Sequence, residues 1–371
     1  MPPVCNPPHI SFFMNENEIQ KPKILVIRLS SLGDVILASS VLACDSLSHG
    51  VDWVVASDYT DVLRGHPKIK KLWVFDRSLG LIGFIKFTYQ LWKEDYDEII
   101  DLHGTVRAWV LRLFFLSFLL LNFKKSPKWR RSSKQRFRSI GYVLLKRLWP
   151  RSLYCERQTK IFSKAAGGTG LEKPDLSFLT ALDGTNDEPK DTSYVCVMPS
   201  SHWYGKTWSA KNYFNVLEQL KVFPVVLGKY ADPQSCELVR LLNQAGIPHV
   251  SAIGKLNLQQ VAVLLSKARC YFGSDTGLAH LSEAVGTPAI IVYGPTAPGL
   301  GFEPWHSSSL AIGAQLWCRP CGKIGDHCYR PLSRFWCLKK LTHTEVFEKI
   351  LEHFKVHAQE WFKTPRLYDS H

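Results

Sequence analysis

No uninterrupted apolar run in this chain is long enough to cross a bilayer. The longest, "AWVLRLFFLSFLLLNF" from Ala108 to Phe123, falls short of the roughly 20 residues a spanning helix needs, and Arg112 interrupts it. The amino terminus, "MPPVCNPPHISFFMNENEIQ", lacks the basic start and apolar core of a secretory signal. Residues 1–22 read as a disordered lead-in, with Met14 a second candidate start. Acidic residues are in deficit: 32 Asp and Glu face 46 Lys and Arg, giving a formal charge of +14 and a pI near 9.3. Such an excess favours anionic partners, whether nucleic acid, an acidic membrane surface or phosphorylated substrates. No nucleic-acid-binding motif accompanies it. There is no G-x-G-x-x-G fingerprint, so a dinucleotide cofactor has little support, and no short-period repeat.

Ten cysteines are present. Six of them (5, 44, 155, 196, 236 and 270) are scattered through apolar or helical segments, the pattern of reduced, buried thiols in a cytoplasmic protein. The other four, Cys318, Cys321, Cys328 and Cys337, follow C-x2-C-x6-C-x8-C in a Pro- and Gly-containing segment. A structural zinc site presents two close pairs. Here only the first pair is close, so free thiols or a local disulfide are favoured and no metal is expected.

At 371 residues the chain suits two domains. Short β-branched runs alternate with helical periodicity from residue 23, as in "KILVIRL", "VDWVVAS", "KLWVFD" and "YDEIIDLHG". This predicts an α/β fold with a parallel, doubly wound sheet over residues 23–165. A Gly-, Pro- and Asp-rich linker occupies 166–192. The alternation restarts with "YVCVMP" and continues through "FPVVLG", "CYFGS" and "AIIVYG", predicting a second such domain over 193–343. Residues 344–371 read as a final amphipathic helix and tail. Ligands in such sheets bind beyond the carboxyl ends of the strands, so the polar loops after strands are the places to look.

Four such loops carry chemistry. In "RLSSLGDV", Gly33 permits an unusual backbone angle. Asp34 is either a helix cap or a general base aimed into a cleft. In "DLHGTVRA", Asp101, His103 and Arg107 cluster at a strand end, with capping and solvation as the bland alternative. In "PSSHWYGKTWS", Ser200, Ser201 and Lys206 precede a helix, where backbone N–H groups and a lysine can meet phosphate. In "SDTGLAHLSEAVGTP", Gly277 lets a phosphate approach a helix start and Thr276 adds a hydroxyl. Leu278, Leu281, Ser282 and Val285 form a buried stripe, while His280 sits about 200° around the helix from Leu278. Asp275 beside a diphosphate would repel it unless the carboxylate accepts sugar hydroxyls or meets a counter-cation.

Together these stretches resemble glycosyltransferase family 9, the lipopolysaccharide heptosyltransferases. The matching segments are "ILVIRLSSLGDVI", "DLHGTVRA", Lys-Thr-Trp at 206–208 and "SDTGLAHLSEAVGTPAIIVYGPT". "CRPCGK" with "CLKKLTHTEVFEKI" resembles the family's C-terminal segment. The resemblance spans roughly residues 23–351. It implies a GT-B fold, two Rossmann-like domains around a cleft, and inversion at the anomeric carbon. It further implies Asp34 as the catalytic base and a donor, ADP-heptose, held by Lys206, Asp275, Thr276, Gly277, Leu278 and His280, with Asp232 matched to a donor-binding residue; Ser200 and Ser201 join the donor side from the loop reading above. The acceptor falls to Ser31, Gly33, Asp101, His103, Arg107, Lys128, Arg130 and Arg131. The third loop departs from the family in reading Pro-Ser-Ser where many relatives have Pro-Gly, and Asp232 stands where a glutamate is expected.

The expected activity is transfer of a sugar from a nucleotide sugar to an anionic, lipid-linked saccharide of the lipopolysaccharide core. The competing readings are a sugar-nucleotide epimerase on a related fold and an inactive lipopolysaccharide-binding homologue. No cofactor is required in this reading, with stimulation by a divalent cation left open. Eight Lys and Arg lie between Lys124 and Arg138 with no acidic residue. Beside the apolar run, they predict peripheral association with the cytoplasmic face of the inner membrane and no nucleic-acid partner.

Overall fold

The two runs of alternating segments fold as two separate parallel sheets. The computed structural model describes residues 21–122, 126–181, 189 and 193–361. The expected lead-in (with Cys5 and Met14) lies almost wholly outside the described residues, as do Lys124, Lys125 and the side chain of Arg107. The N-terminal sheet holds β1 (Ile24–Ile27), β2 (Val51–Ala56), β3 (Ile69–Phe75), β4 (Glu98–Asp101) and β5 (Lys128–Arg131), in the order β3-β2-β1-β4-β5. The C-terminal sheet holds β6 (Tyr194–Met198), β7 (Phe223–Val226), β8 (Val250–Ser251), β9 (Cys270–Ser274), β10 (Ala289–Tyr293) and β11 (Leu310–Gly313), in the order β11-β10-β9-β6-β7-β8. Every pairing is parallel. Strand order reverses between β1 and β4 in the first sheet and between β6 and β9 in the second. Crevices at such reversals receive ligands, and all four chemistry-bearing loops emerge from these four strands.

The helices of the first half are α1 (Leu32–Ala38), α2 (Gly80–Lys93), α3 (Val106–Asn122), α4 (Arg136–Leu145) and α5 (Gln158–Ala165). Those of the second are α6 (Ala210–Leu220), α7 (Pro233–Gln244), α8 (Leu258–Lys267), α9 (Gly277–Ala284), α10 (Trp336–Lys340) and α11 (His343–Trp361). Among the described residues none is long and apolar enough to cross a membrane. One apolar core packs the outer face of each sheet, Leu25, Ile27 and Trp92 in the first and Val197, Phe272 and Val346 in the second. A third runs continuously from Val26, Val35 and Phe162 to Leu264, Leu281 and Tyr293, joining the domains. The segment expected as a linker takes part in it. Leu176 and Leu179 are buried there, and the Leu176 N–H donates to the Ala284 carbonyl at 2.8 Å.

The domains meet most closely where α1 faces α9. A Cβ on Gly277 would stand 2.8 Å from Leu32 Cγ and 2.9 Å from the Gly33 nitrogen, and one on Gly33 would stand 3.1 Å from His280 Cδ2. Only hydrogen fits at the first position without moving backbone.

Several sequence expectations change. Lys128–Arg131, unassigned in the basic stretch, is an edge strand, and "LAIG" adds β11 at the edge of the second sheet. Ser57–Val62 winds as 3-10 turns, with Thr60 Oγ1 donating to the Ser57 carbonyl at 3.0 Å. Cys44, Cys155, Cys196 and Cys270 are buried as expected, but Cys236 is exposed on α7.

Gly277→Ala should cost about 1–3 kcal/mol of stability, the usual penalty for forcing extra volume into a packed contact. Urea unfolding measures it. A variant as stable as the parent would contradict the close approach of the two helix starts.

Candidate active site

Each half contributes one cluster of polar side chains to the seam between α1 and α9. In the N-terminal half, Ser31 is the N-cap of α1 and Asp34 is its third residue. Asp34 Oδ2 accepts from the Ser31 N–H at 3.2 Å and the Ser31 hydroxyl at 3.0 Å, and pairs with Arg28 Nη2 at 2.7 Å. Asp34 is therefore a reciprocal capping partner rather than the cap itself. All three contacts fall on Oδ2. Among the described residues Oδ1 accepts no hydrogen bond, and a quarter of the side chain is open to solvent. Arg28 Nη1 donates in turn to the Leu102 carbonyl, tying the loop after β1 to the loop after β4.

In that second loop Asp101 is buried and turns its own chain. Its Oδ1 accepts from the N–H groups of His103 and Gly104 at 2.9 and 2.8 Å, and its Oδ2 lies 3.6 Å from Arg131 Nε. Arg131 also donates to the Gly104 carbonyl at 3.0 Å. Gly104 has φ +57, a backbone conformation that favours glycine. Burial and the neighbouring Arg136 and Arg131 hold the Lys134 ammonium below its usual range.

The expected acceptor residues do not all gather here. Lys128 pairs in register with Glu98 at the amino end of β4, and Arg130 turns back to Glu98 Oε1 at 2.5 Å. The β-strand rise separates Lys128 from Arg131 by roughly 10 Å. Lys128 therefore stands apart from the carboxyl-end cluster, and Arg130 is held back by its pairing with Glu98. Arg131, Lys134, Arg136, Arg138 and Lys164 instead line a cleft of ≈ 780 Å³, facing the single carboxylate of Glu156.

In the C-terminal half, Asp275 and Lys206 form a buried ion pair, Nζ to Oδ2 at 2.7 Å. The Thr296 hydroxyl donates to the same oxygen at 2.9 Å. Burial pushes the Asp275 carboxyl up, but Lys206, His280 and Thr296 outweigh it and hold it below its ordinary range. Lys206 is thus the counter-cation that the carboxylate needs. The loop carrying it is clamped by the cysteine-rich segment, because a Cβ on Gly205 would meet the Gly325 carbonyl and the Phe335 ring. The Cys321 N–H donates to the Pro295 carbonyl at 2.8 Å beside Thr296. The four cysteines there are free thiols, and among the described residues no three His, Cys, Asp or Glu side chains gather as a metal site.

Thr276 caps α9, its hydroxyl 3.1 Å from the Tyr271 hydroxyl. The first turn of α9 carries no acidic residue. Its unpaired N–H groups therefore leave a positive end free for an anion. The stripe expected on this helix is only part of its burial. Ala279 through Ala284 are all buried, because α9 is enclosed by its own sheet and by α1. His280 is 3% exposed, not turned out to a solvent-filled cleft. Its ring stacks on Trp305 with centroids 5.8 Å apart, and among the described residues Nδ1 has no partner. Burial holds the imidazole below its ordinary range, against the pull of the Asp275 and Asp34 carboxylates.

Ser200 is buried beside this cluster, and Ser201 bonds within its own loop, its N–H to Thr207 Oγ1 at 3.3 Å. Leu278 packs against the central core. Asp232 is the N-cap of α7, accepting from the Ser235 N–H at 2.8 Å, and its observed contact is local. Sequence reasoning missed Arg28, Thr296, Glu283 and Trp305. The first three stood inside quoted motifs, and Trp305 gave no local signal. Glu283 Oε1 accepts from the N–H groups of Trp305 and His306 at 2.9 and 2.8 Å and from the Ser309 hydroxyl at 2.9 Å. It thereby holds the loop whose Trp305 stacks on His280.

With this geometry in place, comparison with known proteins is informative. Residues 84–329 match the family model "Glycosyltransferase family 9 (heptosyltransferase)". The chain is 25% identical to the lipopolysaccharide heptosyltransferase 1 of Pseudomonas aeruginosa, over 81% of this chain and 86% of that protein. The enzyme of the same name from Escherichia coli is also 25% identical, over 75% of this chain and 89% of its own length. Among solved structures, the E. coli heptosyltransferase WaaC with ADP-2-deoxy-2-fluoro heptose superposes with a TM-score of 0.62 at 20% identity, over 89% of this chain and 99% of that one. The GT-B arrangement of two parallel-sheet domains is shared.

Burial pushes the Glu283 carboxyl up from 4.5 to about 7, against the N–H groups, Ser309 and Arg157 that pull it down. The fold therefore favours the protonated form. That contribution is complete below pH 4.5 and is lost as pH rises through 7. Glu283→Gln removes the titration. The melting-temperature gap between variant and parent should shift in the variant's favour from pH 5 to pH 8, by the equivalent of a few kcal/mol. A gap that stays constant with pH would contradict it.

Proposed function

The chain belongs to glycosyltransferase family 9, and we propose that it transfers heptose from ADP-heptose to an anionic, lipid-linked saccharide of the lipopolysaccharide core, inverting the anomeric centre. The observation that carries this reading is the convergence of Asp34, His280 and the Lys206–Asp275 pair on one seam between two helix starts. The donor diphosphate lies against the start of α9 at Thr276, Gly277 and Leu278, with Lys206, Ser200 and Ser201 beside it. Asp275 accepts donor sugar hydroxyls, and His280 backs it from within, its ring stacked on Trp305. Asp232 approaches the nucleoside from the β7 loop. The acceptor enters from the N-terminal side, past Ser31, Gly33, His103 and Arg107. Its phosphates meet Arg131 and the basic cleft beyond.

The reaction is a single displacement. The acceptor oxygen attacks the anomeric carbon as the carbon–oxygen bond to the diphosphate breaks, and the hydroxyl proton passes to Asp34 Oδ1. Negative charge grows on the departing ADP, and in this reading Lys206 and the α9 amides stabilise it. These groups neutralise the leaving group, so the mechanism assigns no step to a metal, and a divalent cation would act only as a stimulant. The lipid-linked acceptor places the work at the cytoplasmic face of the inner membrane, with the enzyme held there peripherally.

Asp34→Asn keeps the contacts of Oδ2 in shape but removes the base. Turnover should fall by about 10²–10⁴, while calorimetric affinity for ADP stays within a factor of about two of the parent's. A folded variant with full turnover would reduce Asp34 to its capping role.

A further inference from the structure

The α4 helix is amphipathic the wrong way round for a soluble protein. Phe137, Ile140 and Leu144 recur at helical spacing and are 76%, 56% and 71% exposed, and Leu148 in the next turn is 84% exposed. The opposite face turns inward, yet α4 has no buried residue. There Tyr142 stacks on Tyr154 with centroids 4.1 Å apart, and Arg138 donates to the Tyr154 carbonyl at 3.3 Å. Lys146 reaches the Pro320 carbonyl of the C-terminal half at 2.7 Å. The helix is thus fastened across the domain seam by its polar and aromatic face, leaving its apolar stripe uncovered. Contiguous exposed apolar surface of this kind marks an interaction site.

The surrounding charge says what covers it. Between Asp101 and Glu156 the chain has thirteen lysines and arginines and no acidic residue. On α3, Trp109 and Leu113 add further exposed apolar side chains, with the Arg131 guanidinium 5.7 Å from the Trp109 ring. An apolar stripe rimmed by cations matches the interface of an anionic bilayer, where acyl chains lie under phosphate headgroups. A second copy docking through the same face would set cation against cation, because the stretch between Asp101 and Glu156 has no acidic residue.

We infer that α4 is the membrane-docking element, its stripe of Ile140, Leu144 and Leu148 entering the headgroup boundary of an anionic leaflet. Phe137 lies both on this stripe and on the wall of the basic cleft. A lipid-linked acceptor can then keep its acyl chains in the leaflet while its phosphorylated saccharide rises into the cleft. This inference rests on the glycosyl-transfer reading above and names the surface on which that reaction takes place.

Co-sedimentation of the full chain with phosphatidylglycerol–phosphatidylethanolamine vesicles, against pure phosphatidylcholine vesicles, tests it. The parent is expected to pellet with the anionic vesicles only. The triple variant Ile140→Ser, Leu144→Ser, Leu148→Ser should partition at least tenfold less, with melting temperature and ADP affinity unchanged. Unaltered pelleting of the triple variant would overturn the proposal. So would a parent that elutes as a dimer and a variant that elutes as a monomer, since a second copy would then be what covers the stripe. Transfer to a soluble, acyl-free acceptor should be equal in both proteins. Its absence from both would count against the glycosyl-transfer reading, and the vesicle result would decide the docking face independently.

Discussion

The contact between Gly33 and Gly277 governs the arrangement around it. Two helix starts approach until their backbones nearly touch, which no residue with a side chain would allow at Gly277. Each start is the positive end of a helix dipole. On α1 that charge is met from within, by Asp34 at the third helical position. On α9 it is not, because the first turn holds no acidic residue. The seam is therefore electrostatically lopsided, with a carboxylate at one helix start and none in the first turn of the other. The proposed displacement, which expels an anion, uses this polarity.

The second constraint is the buried pair of Lys206 and Asp275. Burying two charges costs several kcal/mol each, and such pairs seldom stabilise a fold by much. Its value lies in placement. The carboxylate is neutralised by an ammonium that can also face phosphate, and Thr296 fixes the shared oxygen. Gly325, Phe335 and Cys321 brace the surrounding loops. The cysteine-rich segment thus acts on the site as packing, whatever the chemistry of its thiols. Glu283 does the same for His280 from the other side, through the loop that carries Trp305.

Much of this was legible in the sequence, for particular reasons. Both sheets announced themselves because central parallel strands such as "ILVI" and "AIIVY" are buried on both faces and read as apolar runs. The loops bearing Asp34, Asp101, Lys206 and Asp275 could be found because they follow those strands. Two edge strands, β5 and β11, were not legible. "KWRR" has no apolar alternation and is a strand only because β4 pairs with it. That pairing puts Lys128 at the amino end of the strand and lets the Arg130 side chain turn back to Glu98, a separation that no charge count reveals. Thr296 and Glu283 act through contacts 21 to 26 residues away in sequence, beyond the reach of local pattern. The continuous core joining the domains was hidden likewise, since it forms only when α1 meets α9.

A single displacement couples donor cleavage to an acceptor. ADP release from ADP-heptose, followed with and without a truncated lipid A–Kdo acceptor, tests it most directly when the anomeric configuration of the product is read by NMR. Release should require the acceptor, match product mole for mole, and give the inverted linkage. Donor consumed at full rate with no acceptor present, as an epimerase would do, or a product of retained configuration, would contradict it.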